Sequence, residues 1–257
     1  MSLPPVTRLI VRNFASNLDI TTVLIRFGQP AITIIVLGTM FSTIVSSTVT
    51  GGTSYTAFLV PGMVAFQMIT GGVVSGNLFW LDRRWSMVEQ VFSGPFLRAE
   101  YLAGLVLTSL LFSLVGVGIM ILVALPFIGI PPLSPLAAAA VLLTVGLGSV
   151  FFSGLLIAIG SRLRSANAYF SIQSFLQLFA IFVSTVYYPV TSRTPRVLAD
   201  IFYLNPLTYA ANTIRDAFSN TLGTGDLVSL SILAALAAVT FAAAVLAFRR
   251  MDLGPIQ

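Results

Sequence analysis

Cysteine, histidine and lysine are all missing from this 257-residue sequence, which removes most side chains capable of covalent or metal chemistry. Zinc, haem and iron–sulfur centres lose their usual ligands. Ser–His and Cys–His nucleophile pairs are impossible, and so are a lysine Schiff base and the lysine of a phosphate-binding P-loop. Every one of the thirteen basic residues is Arg. The residues left with chemical potential are polar and uncharged. Tyr169, Gln173 and Gln177 recur every four residues, and Gln67, Thr70 and Asn77 form a second set. On helices each set makes one stripe. Amides are costly in hydrocarbon, so these stripes should face protein or water. They would either line a polar path or hold helices together. Gly72 and Gly76 form a small-xxx-small pair suited to close helix packing.

The elements that must carry these stripes follow from composition. Hydrophobic residues make up 57% of the chain and charged ones only 8%, against about 25% in soluble domains. Mean hydropathy is +0.98. Most of the surface must therefore face lipid, and we expect an all-α membrane protein with a single transmembrane domain over 1–257. Six apolar stretches are long enough to cross a ~30 Å core: 27–49, 55–80, 101–128, 133–160, 168–188 and 228–248. A proline turn, Gly129-Ile130-Pro131-Pro132, joins the third to the fourth. Pro30 and Pro61 fall inside spans, where neighbouring helices can satisfy the freed backbone groups.

The arginines orient the chain. With a cytoplasmic N-terminus, Arg8, Arg12, Arg26, Arg83, Arg84, Arg98, Arg162, Arg164, Arg249 and Arg250 lie inside, and Arg193, Arg196 and Arg215 outside. Ten against three satisfies the positive-inside rule, placing both termini in the cytoplasm. The net charge of +5 is modest, and no nucleic-acid partner is expected. Arg8 and Arg12 interrupt any signal-peptide core, so the N-terminus reads as uncleaved. Val6, Leu9, Ile10, Phe14 and Leu18 instead sit near helical spacing, predicting an interfacial amphipathic helix over 1–19.

Two segments that do not span hold further signals. Residues 81–95 read as a short cytoplasmic helix with Asp82 near its N-terminus. Trp85, Val88, Val91 and Phe92 share one face, and Gly94-Pro95 stops it. It could dock a soluble partner or rest on headgroups. Residues 189–221 contain two helix starts, Thr194-Pro195 and Asn205-Pro206. The helices that follow are too short to span, which suggests an outer re-entrant hairpin. Arg215 and Asp216 fall where it would return to water or meet a polar cavity.

Asn205-Pro206-Leu207-Thr208-Tyr209 with Arg215 resembles the C-terminal signature of ABC-2-type transporter permeases. Glu89-x4-Gly94-Pro95-x2-Arg98-x-Glu100 is similar to that family's first coupling helix and its continuation into the third span. The order of parts matches along the whole chain. The resemblance implies a half-transporter that exports drugs, lipids or glycans and pairs with a second copy or a related permease. It implies a coupling helix (Arg83, Arg84, Trp85, Val88, Glu89, Phe92, Gly94, Pro95) seated on a separate ABC ATP-binding subunit. ATP and Mg would belong to that subunit, this chain binding no cofactor and supplying no ATPase lysine. Trp85, Val88 and Phe92 are expected as anchors, with Arg83, Arg84 and Glu89 as rim. Gln67, Asn77, Tyr169, Gln173 and Gln177 are the candidates for a substrate path, and Asn205, Pro206, Tyr209 and Arg215 for the hairpin motif. The expected location is the inner (plasma) membrane of the cell.

The other reading is an ATP-independent secondary transporter or channel. Such proteins usually place ionisable groups at the midplane, and these spans hold almost none. An intramembrane enzyme finds no His dyad and no paired intramembrane carboxylates.

Overall fold

Five helix starts are set by a side chain that accepts a backbone N–H. Asp19 accepts from Thr22, Ser54 from Ala57, Ser134 from Ala137, Ser165 from Ala168 and Asn205 from Leu207. The computed structural model describes residues 5–17, 19–50, 52–93, 97–129, 131, 133–191 and 194–249. Among them it contains ten α-helices and no strand: α1 Pro5–Ala15, α2 Ile20–Ile44, α3 Tyr55–Arg84, α4 Met87–Ser93, α5 Arg98–Ile128, α6 Pro135–Arg162, α7 Ala166–Phe182, α8 Arg196–Tyr203, α9 Pro206–Phe218 and α10 Thr224–Arg249. The expectations for Leu18, Gly94, Pro95, Arg193 and Arg250 lie outside the described residues.

Helix α3 is the hub, buried along nearly its whole length and packed against α2, α5, α6 and α9, while α10 packs on α6. Close approach depends on missing side chains. A Cβ on Gly72 would lie 2.4 Å from Phe152 Cβ on α6, and one on Gly154 2.7 Å from the α10 backbone at Thr240. A Cβ on Gly76 would stand 2.5 Å from the Tyr169 hydroxyl of α7. The Gly72/Gly76 pair thus serves close packing. A hydroxyl seam joins α3, α5 and α6: Ser149 donates to Ser113 at 2.8 Å, and Ser113 donates to the Gln67 carbonyl at 3.0 Å.

Among the described residues, five helices are long and apolar enough to cross a bilayer: α2, α3, α5, α6 and α10. The stretch 168–188 differs from expectation. Its helix, α7, ends at Phe182 after 17 residues, and a turn at 183–187 follows. Exposed apolar side chains cover the outer faces of α2, α5 and α10, among them Ile32, Met40, Leu111, Leu122 and Val239.

Helix α1 does not stand free. Leu9 is buried against Gly104 of α5, and Phe14 stacks on Phe112 with ring centroids 4.5 Å apart. Buried Asn13 donates to Thr108 Oγ1 at 3.1 Å. The amphipathic face read from the sequence is therefore seated on α5.

Candidate functional site

At the α3–α4 corner, residues 81–84 continue α3, and the chain turns at Trp85 and Ser86, where Ser86 has φ +52°. This revises two expectations. Asp82 does not stand at the start of α4. It is buried in the last turn of α3, where Arg12 and Tyr101 both bond to Oδ2. Val88 and Phe92 do not face outward. Val88 is only 2% exposed. Phe92 lies half-buried between Tyr101 and Phe248, at 5.9 and 5.7 Å between ring centroids, with the Arg98 guanidinium over it. The apolar face of α4 fills the bundle because α4 has only seven residues and needs the α5–α10 surface to hold it.

The outward side of the corner is made by Arg84, Trp85 (66% exposed), Met87 and Gln90, with Glu89 half-buried beside them. Arg83 turns the other way. Its Nη1 donates to the carbonyls of Gly160 and Leu163 at 2.7 and 2.8 Å, capping the end of α6. Arg83 is therefore a cap, not part of the rim.

The polar stripe of α7 faces α3. The Tyr169 ring stacks on Trp80 at 4.9 Å and 6°. Farther along, Gln177 shares a cavity of about 300 Å³ with Thr70 and Val73 of α3 and with Thr22, Arg26 and Gln29 of α2. Asn77 and Gln173 occupy the intervening turns. Trp80 Nε1, Tyr169 Oη, Asn77 Oδ1 and Gln173 Oε1 are buried without a hydrogen-bond partner. Such a row is uncommon in a folded interior, where nearly all buried polar atoms are paired.

Gln67 leaves this row. At about 100° per residue, Thr70 and Asn77 lie within about 20° of each other on α3, and Gln67 lies about 60° away from Thr70. It is fully buried, and its Oε1 would stand 2.5 Å from a Cβ on Gly116 of α5. The structure thus brings together Asn77, Tyr169, Gln173 and Gln177 and sets Gln67 apart. Arg26 and Gln29 were missed by the sequence reading. The signal was there: Thr22, Arg26 and Gln29 are spaced i, i+4, i+7 just before and within the first apolar stretch.

The motif from Asn205 to Arg215 is a set of caps. Asn205 Oδ1 accepts from Leu207 N at the start of α9, and its Nδ2 donates to the carbonyls of Ala180 and Val183 at 2.8 and 2.6 Å. Pro206 fills the first helical position of α9. Tyr209 donates to the Tyr203 carbonyl at 2.7 Å, closing the end of α8. Arg215 is half-buried. It lies 3.9 Å over the Phe58 ring and donates to the carbonyls of Phe58 and Thr185 and to Asn212 Oδ1. At α8, Pro195 occupies the cap position without a side-chain bond, and Thr194 Oγ1 accepts from Thr191 N instead.

A family match covers most of the chain. The model of the ABC-2 type transporter family matches residues 6–219. The chain belongs to that family. Membership agrees with the five helices that are long and apolar enough to cross a bilayer. Two relatives bear the name "Putative transport permease ycf38". The one from Porphyra purpurea is 29% identical over 203 residues, covering 75% of this chain and 66% of the relative, just under two thirds of its length. The one from Pyropia yezoensis is 26% identical over 228 residues, covering 84% and 72%.

Proposed function

We propose that this chain is the transmembrane subunit of an ATP-driven exporter, which moves an amphipathic drug, lipid or glycan-type substrate outward. In this reading a separate ABC ATP-binding subunit holds ATP and Mg, and these 257 residues carry no lysine for a P-loop. The row of unpaired polar atoms between α3 and α7, ending in the α2–α3–α7 cavity, is the observation that carries this reading. A polar row that protein groups leave unsatisfied suits a substrate better than it suits helix glue.

The proposal extends to the rest of the assembly. Helix α7 serves as the sixth crossing although its 17 residues cover only about 25 Å. The α8–α9 hairpin completes the outer side, and Asn205 satisfies the carbonyls exposed where α7 stops. Both termini lie in the cytoplasm of a cell whose inner membrane holds the chain. Trp85, Met87 and Gln90 form the surface on which the ATPase subunit seats, with Arg84 and Glu89 at its edge. The apolar outer faces of α2 and α7 leave room for a second copy or a related permease.

Affinity capture of the tagged chain with its ATPase, followed by transport in proteoliposomes, tests this reading. Outward movement of an amphipathic dye is expected only with Mg-ATP. Movement driven by a proton gradient without ATP would overturn it in favour of a secondary transporter.

A further inference from the structure

We propose that the α2–α3–α7 cavity binds the anionic group of an amphiphile, with Arg26 as the residue that reads its charge. Arg26 is half-buried and lies 5.2 Å over the Phe112 ring. Its Nη2 donates to Asn17 Oδ1 at 3.3 Å, while Nη1 is buried without a partner. Among the described residues no carboxylate forms a salt bridge with Arg26, and Asp19 acts on it only through space. Asp19 is engaged in capping α2 through Thr22 N, and Asp82 is paired with Arg12. A cation withdrawn from water in an apolar bundle is costly, so an anion that completes its hydrogen bonds binds with charge-assisted strength.

The depth of the site selects the kind of anion. Phe112 carries Arg26 on one contact and Phe14 of α1 on another, and Asn17 follows directly after α1. Arg26 therefore lies at the level of the amphipathic helix, where lipid headgroups lie. About 300 Å³ holds a phosphate or carboxylate headgroup but not a whole phospholipid. The hydrocarbon tail would leave between α2 and α7, past Ile25 and Leu178, at the edge of the face left for a second copy. Thr70 and Gln177 add uncharged donors.

This assignment rests on the permease reading for its meaning as a substrate class. Its test, run without ATP or ATPase, can fail separately. The full chain in detergent is titrated with dioleoylphosphatidylglycerol or dioleoylphosphatidylcholine, and retained lipid is counted by native mass spectrometry. Preference for the anionic lipid is expected. Arg26→Gln should weaken it about tenfold and bring the two lipids level, whereas Arg26→Lys keeps most of the preference. Gln177→Glu, which sets a carboxylate in the same cavity, should also abolish it and serves if Arg26→Gln folds poorly. Unchanged preference in both variants would overturn the proposal. Full displacement of the lipid by inorganic phosphate would also overturn it, since the site would then read a free anion.

Discussion

Arg12 Nη2 lies 2.6 Å from Asp82 Oδ2, tying α1 to the last turn of α3 across 70 residues of sequence. The Tyr101 hydroxyl donates to the same oxygen at 2.9 Å, so α5 joins the contact. The two partners are not equivalent. Asp82 is buried, whereas about a third of the Arg12 side chain reaches solvent. Losing Arg12 leaves a buried carboxylate with one donor. Losing the Asp82 charge leaves a guanidinium that water can satisfy. Arg12→Ala should cost about 2 kcal/mol after discounting for that exposure, and Asp82→Asn about 1. Thermal melts in mild detergent measure both, and equal losses would show that the pair is solvated like a surface one.

Asn205 makes a sharper case because an ordinary N-cap tolerates Asp as well as Asn. Here the amide also donates to Ala180 and Val183. Asn205→Asp keeps the cap on α9 but turns a carboxylate toward two carbonyls. It should destabilise as much as Asn205→Ala, by about 2–3 kcal/mol. Near wild-type melting of Asn205→Asp would mean that the α7 contacts contribute little.

The buried amides divide by what surrounds them. Gln67 has no hydrogen-bond partner on either side-chain atom and sits in an apolar, close-packed contact with α5. Gln67→Leu should leave stability unchanged or raise it, by up to about 1 kcal/mol. Gln173→Leu and Gln177→Leu should instead shift the pattern of exported substrates at matched expression. A uniform loss that tracks protein level would assign them to helix packing.

The α3–α4 corner predicts opposite outcomes for two aromatic residues seven positions apart. Phe92→Ala removes a ring packed on Tyr101 and Phe248 and should destabilise by about 3 kcal/mol. Trp85→Ala should leave melting intact yet weaken ATPase capture about thirtyfold. Pull-down and melting on the same preparations separate these effects. Undiminished capture by a Trp85→Ala/Met87→Ala double variant would remove this surface from the coupling role.

Orientation is accessible because the chain has no Cys. Thr48 and Ser93 are both exposed, at opposite ends of α3. In intact cells a membrane-impermeant maleimide should label Thr48→Cys and spare Ser93→Cys until the membrane is opened. The reverse pattern would invert the topology.

Composition determined that the chain is lipid-facing, since so few charges cannot cover a water-exposed surface, and the length of its apolar stretches pointed to helices. Local spacing determined the amphipathic face of α1, the Asn205-Pro206 start of α9 and the stripe on α7, because each depends on neighbours within a turn or two. Tertiary structure decided which way the polar groups point. Val88 and Phe92 look like an outward face until Tyr101 and Phe248 are seen to cover them. Arg83 looks like a rim charge until the carbonyls of Gly160 and Leu163 arrive from nearly eighty residues away. Helical periodicity defines a face but not its occupant, and where every face is apolar the hydrophobic pattern no longer separates lipid from protein. Only packing does, through the glycines that let α3 approach α6 and α7 and the hydrogen bonds that close each helix end.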